Sequence, residues 1–177
     1  DRDSSASTTD GFHDRKVFVS KSERGLYVGD ISHNVAILRY ADVLLMYAEV
    51  LNENGKSSEA LTYLNMVRKR ARNSDPKDPK RDIQVYIPET DPATTLPDIT
   101  VTDKQQLREI IWKERRCELA MEGLRRDDLV RQKRFGNVMR EYAAKHGVDK
   151  GKLFNDDKDY LLPIHIDQIL MSQGTLE

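Results

Sequence analysis

Apolar residues at Ile37, Ala41, Leu44, Ala48 and Leu51 recur every three or four positions and line one face of a helix that opens at Val35. Val43, Met46, Tyr47 and Val50 fill a second face, which predicts a helix sandwiched between neighbours. Asn54-Gly55 supplies a stop, since glycine accepts the left-handed conformation beyond a helix end, and Ser57 or Ser58 is placed to cap the next start. The second helix carries Ala60, Leu61, Leu64, Val67 and Ala71 at helical spacing and runs to Arg72; so short a connection makes the pair antiparallel.

The helical period is lost from Asn73 to Val101, where all but one of the six prolines fall (Pro76, Pro79, Pro88, Pro92, Pro97), so 73–101 is predicted as a long loop. Alternation at Ile83, Val85 and Ile87 suggests a brief strand within it. A third helix is expected from Thr102 or Asp103, which have capping-box partners in Gln105 and Gln106, to Glu122 before Gly123. Its buried side is Leu107, Ile110, Ile111, Cys117 and Met121. Shorter helices follow at Asp127–Lys133 and Asn137–His146, then a buried extended piece at Tyr160–Ile164 and a last short helix at Ile166–Met171. The fold class is therefore all-α, a helical hairpin plus further helices with long irregular loops and at most short strands. An irregular segment, 1–34, precedes a helical domain at 35–177.

Spacing within the hairpin adds detail. Leu44, Tyr47, Ala48, Leu51, Gly55, Ala60, Leu64 and Val67 fall as in a tetratricopeptide repeat, with small residues where the helices cross. A single repeat leaves its outer faces uncovered, so further helices are expected against it.

Composition removes several functions. With 29 Lys and Arg against 30 Asp and Glu, the net charge of −1 offers no field for a polyanion, and nucleic acid is not an expected partner. One cysteine, Cys117, permits no internal disulfide. His13, His33, His146 and His165 lack ligand spacing, so neither a metal nor another cofactor is expected. No apolar run is long enough to span a bilayer, and the start, Asp1-Arg2-Asp3-Ser4-Ser5, reads as that of a processed or truncated piece. No nucleophile elbow, phosphate loop or dinucleotide fingerprint is present.

The remaining candidate chemistry is a row of carboxylates, Glu114, Glu118 and Glu122, stacked at four-residue spacing where like charges repel. Such a row suits acid/base catalysis or a metal, but the abundance of arginines favours a structural reading. Glu114 and Glu118 are expected to pair with arginines of the hairpin or with Arg125 and Arg131. Trp112, mid-helix, is read as packed against a neighbour rather than as a sugar platform, and Arg68-Lys69-Arg70 as the dipole-complementing end of a helix.

Taken in order, Ile37-Leu38-Arg39-Tyr40-Ala41-Asp42-Val43-Leu44-Leu45-Met46-Tyr47-Ala48-Glu49, Ala60-Leu61-Thr62-Tyr63-Leu64-Asn65 with Val67-Arg68, Glu114-Arg115-Arg116 with Glu118-Leu119-Ala120 and Glu122-Gly123, Asp128-Leu129-Val130-Arg131, and Tyr160-Leu161-Leu162-Pro163-Ile164 resemble the C-terminal part of SusD/RagB outer-membrane proteins. Where that family commonly has a Gly-x-Arg-Trp-Phe-Asp pattern, this chain has Gly123-Leu124-Arg125-Arg126-Asp127-Asp128 and lacks the aromatic pair. The resemblance implies a surface lipoprotein of the outer membrane in Bacteroidetes-type bacteria. Such a protein captures glycans, or in some members peptides, and passes them to a SusC-like TonB-dependent transporter without catalysis. Its lipid anchor would lie N-terminal to this chain. No binding residue carries over, because the shared blocks are scaffold positions. Aromatic faces on loops, Tyr86 and Tyr27, are the expected sugar contacts. The alternative is a tetratricopeptide-like adaptor whose groove binds a protein partner.

Overall fold

The structure is a computed structural model; it describes residues 16, 36–73, 96–149, 151, 154–173 and 175. The chain divides into two compact units, Asp1–Met121 and Glu122–Glu177. Among the described residues there are six helices and no strand, so the fold is all-α. Tyr27, Tyr86 and the alternating run at 83–87 lie outside the described residues.

In the first unit α1 (Tyr40–Glu53) and α2 (Ser57–Arg72) form the expected antiparallel hairpin. The turn is a Schellman motif: Lys56 N donates to Leu51 O at 2.9 Å and Gly55 N to Asn52 O at 3.1 Å, with Gly55 at φ +78°. The Ser57 hydroxyl does not cap α2; it donates to Asn52 Oδ1 at 2.8 Å, while Asn52 Nδ2 donates to Lys104 O at 2.8 Å. A fully buried asparagine thus ties the turn to the start of the third helix, with its polar atoms paired as burial requires.

That helix, α3 (Lys104–Glu118), begins at Asp103, whose carboxylate accepts from Gln106 N at 2.9 Å. Leu45, Ala48, Ala60, Leu64, Leu107 and Ile111 are buried where the three helices meet. Small residues at Ala48 and Ala60 let the hairpin helices approach closely, and Leu64 fills the space left between them and α3.

Four sequence expectations are corrected. The first helix opens at Tyr40, not Val35, leaving Ile37 and Leu38 outside it and exposed. Its second apolar face is not covered: Val43, Met46, Tyr47 and Val50 are all exposed, the last by 53%. On α3 the buried row is Leu107, Ile111, Arg115 and, at the C-cap, Leu119, a strict four-residue spacing that leaves Cys117 exposed. Met121 lies beyond the helix end in the left-handed region (φ 67°) and is exposed. Finally, 160–164 is not a buried extended piece, since Leu161 is 80% exposed and Leu162 and Ile164 are exposed as well.

The second unit holds α4 (Arg125–Arg131), α5 (Phe135–His146) and α6 (Ile166–Met171). Its α4 ends on a second Schellman motif, with Lys133 N donating to Val130 O and Arg134 N to Leu129 O, both at 2.9 Å. Here the left-handed position is Lys133, at φ 53°. Phe135 packs against Phe154 (centroids 5.0 Å apart), and Phe154 meets Tyr160 edge-on at 5.3 Å.

Candidate functional site

Arginine–carboxylate pairs and a backbone clasp organise the first unit. Polar partners run down α1 as they run up α3: Asp42 with Arg115, Glu49 with Trp112, Glu53 with Arg108. This order makes α1 antiparallel to α3, and it makes α2, which pairs Arg68 with Glu114 and Arg70 with Glu118, parallel to α3.

Glu114 Oε2 lies 2.6 Å from Arg68 Nη1. Glu118 Oε1 is shared by Arg39 Nη1 at 2.9 Å and Arg70 Nη2. The carbonyl of Glu118, unpaired by the helix itself, accepts from Arg39 Nη2 at 2.9 Å and from Lys16 Nζ at 2.6 Å, and Lys16 also reaches Ala120 O at 2.9 Å. Cations therefore gather at the negative end of the α3 dipole. Arg131 bonds Asp128 on its own helix, Nε to Oδ1 at 2.9 Å. Of the like-charged row predicted along α3, Glu114 and Glu118 are thus each met by guanidinium groups brought in from Arg39 and from α2, while Glu122 lies beyond the helix end.

The deepest pair is Asp42–Arg115, 2.8 Å apart with side chains 9% and 5% exposed, a pair that apolar spacing does not reveal. Its signal was present in the sequence: an acid in the first turn of α1 and an arginine four residues beyond Ile111. Trp112 donates Nε1–H to Glu49 Oε1 at 2.9 Å, so the indole is engaged within the bundle. At the far end Arg108 grips Glu53 in a two-bond fork, Nε–Oε1 2.5 Å and Nη2–Oε2 2.7 Å. Those hydrogen bonds hold the Glu53 carboxyl below its ordinary value and push the Arg108 guanidinium up.

The clasp lies on α2. Asn65 Oδ1 accepts from Ile99 N at 2.8 Å and Asn65 Nδ2 donates to Ile99 O at 3.0 Å, so one side-chain amide pairs with a backbone residue as a neighbouring strand would. One turn on, Arg68 donates from Nε and Nη2 to Pro97 O (3.0 and 2.8 Å). At the helix end Arg72 Nη1 bonds Leu96 O at 2.6 Å and Asp98 Oδ1 at 2.8 Å. Residues 96–99 are laid along α2 by the row Asn65, Arg68, Arg72. Arg68 belongs both to this clasp and to the α3 pairs.

Among the described residues no three His, Cys, Asp or Glu side chains are grouped to hold a metal ion, and no helix is long and apolar enough to cross a membrane.

Comparison with known proteins decides the family. The model of the SusD family matches residues 1–174. The chain belongs to the SusD family. It is 36% identical over 137 residues to SusD-like protein P2 of Formosa agariphila, an alignment covering 75% of this chain and 23% of that protein. SusD-like protein P38 of the same organism is 36% identical over 107 residues, 60% of this chain and 18% of the relative. This SusD-family chain therefore spans less than a quarter of the length of these curated relatives. No solved structure matches it.

Proposed function

We infer that this chain is the C-terminal part of a glycan-binding component of an outer-membrane nutrient-uptake complex, working with a SusC-like TonB-dependent transporter. The protein is held at the cell surface by a lipid anchor outside this chain. The observation that carries the reading is the SusD-family match along residues 1–174. The role is capture rather than catalysis, and the packing of α3 supports this. Glu114 and Glu118, the carboxylates best spaced for acid/base work, each carry a guanidinium at hydrogen-bonding distance and serve to join helices. Peptides are the second ligand class.

The test is titration of the intact protein with a panel of neutral oligosaccharides and peptides by calorimetry, with the transporter sought by affinity co-purification from outer membranes. Saturable binding without new reducing ends is the expected result; turnover of any labelled oligosaccharide would overturn the non-catalytic role.

One observation favours the adaptor reading: the exposed row Tyr40, Val43, Tyr47 and Val50 on α1, an apolar helix face of the kind that seats a partner helix. Polar substitution along this row that left glycan capture intact but abolished co-purification with any protein would support it.

A further inference from the structure

We propose that Asn137, Arg140 and Asp156 beside Gly136, together with Tyr160 on the neighbouring Phe154 ring, form a contact site for a neutral sugar ring in the second unit. The proposal rests on the glycan-binding reading and gives it a location that the family match does not.

Gly136 is buried in the first turn of α5, and a Cβ at this position would overlap Asp156 Oδ1 and stand 2.8 Å from Phe154 Cδ1 and 3.0 Å from Arg140 Nη1. The missing side chain makes the space in which a carboxylate, a guanidinium and an aromatic ring converge. Arg140 is fixed there by three acceptors: Asn137 Oδ1 and Asp156 Oδ2 at 2.8 Å each, and Phe154 O at 3.3 Å. The turn opposite is wired just as tightly. Asn155 N donates to Asp159 Oδ2 at 2.7 Å, Asp157 N to Asn155 Oδ1 at 2.9 Å, and Asp159 N to Asn155 O at 2.9 Å.

These groups are oriented yet open to solvent, since the Arg140 and Asp156 side chains keep 37% and 51% exposure. Phe154, whose carbonyl Arg140 bonds, meets Tyr160 edge-on at 5.3 Å, and the Tyr160 ring is partly exposed.

Charge selects the ligand class. Arg140 and Asp156 neutralise each other, and the Asp157 and Asp159 carboxylates of the facing turn are not grouped with Asp156 to hold a metal ion. What the site presents is a fixed donor and a fixed acceptor side by side, next to a partly open aromatic ring. Adjacent sugar hydroxyls match the first, and the C–H face of a pyranose matches the second.

The full chain, labelled with 15N, would be titrated with maltohexaose, cellohexaose, xylohexaose and mannohexaose while its amide shifts are followed. Shifts confined to 136–140 and 154–160 with at least one hexasaccharide are expected. Tyr160→Ala and Asn137→Ala would each weaken that binding, the former by about tenfold for a lost stacking contact. Saturable binding with shifts only elsewhere would overturn the proposal while leaving the glycan reading intact. No binding of any hexasaccharide by either calorimetry or shifts would overturn both. The wild-type shift map does not depend on how the variants fold.

Discussion

Arg115 occupies a position in the buried row of α3 where an aliphatic residue would ordinarily follow Leu107 and Ile111, and it is tolerated because Asp42 meets it at 2.8 Å. Removing one partner leaves the other charge in a place water does not reach. Arg115→Ala is expected to cost about 3–5 kcal/mol in urea unfolding. Replacing both at once, Asp42→Leu with Arg115→Met, should return most of that loss, a contrast that a lone contact energy would not produce. The fork between Glu53 and Arg108 behaves differently because both side chains are partly exposed. The folded Glu53 pKa lies below the unfolded value near 4.5, so its stabilisation is present above that pH and disappears as pH falls through the lower, folded value. Glu53→Gln should therefore be less stable than the parent at neutral pH, and its stability should fall less steeply on acidification below pH 4.5. Parallel slopes in the two acid titrations would contradict the assignment.

Elements in this chain are closed by unlike residues at like positions. Both α1 and α4 end in Schellman motifs, but the left-handed position is Gly55 in one and Lys133 in the other. A Cβ in that conformation is strained, so Lys133→Gly should stabilise the protein by roughly 0.5 kcal/mol, the gain being limited by the freer unfolded glycine. Gly55→Ala should destabilise it by about 1 kcal/mol. Thermal unfolding of both variants checks the opposite signs. The clasp on α2 depends on a side chain acting as backbone. Asn65→Ala should cost about 1–2 kcal/mol by leaving the Ile99 amide and carbonyl unpaired, and should speed exchange of the Ile99 amide hydrogen.

Periodicity found the helices because Leu44, Ala48 and Leu51, or Ala60, Leu64 and Val67, repeat at the helical spacing that burial imposes. It misassigns the second face of α1, since Val43 and Val50 repeat just as regularly yet stay exposed. It also preferred Cys117 to Arg115, because a pattern of apolar residues cannot register a charge neutralised by a residue far away in sequence. Asn52 and Asn65 were invisible for the same reason: their partners, Lys104 and Ile99, are backbone groups that lie distant along the chain.

At the scale of the molecule, the buried apolar cluster among the described residues lies where the three helices of the first unit meet. Leu64 is fully buried among Leu45, Leu107 and Ile111, so Leu64→Ala should lower unfolding free energy by about 2–5 kcal/mol, lost transfer energy and a residual cavity acting together. Val43→Ser and Val50→Ser on the open face of α1 should change it by less than about 0.5 kcal/mol. Comparable losses at all three positions, measured by denaturant midpoint, would mean that the outer face is buried in solution. The clasp bears on how this fold accommodates change. Arg72 bonds Leu96 directly, so the two ends of the segment 74–95 are joined by groups that lie outside it. Because Arg72 meets Leu96 directly, the place of the returning chain on α2 is set by this contact and not by the number of residues that separate the two in sequence.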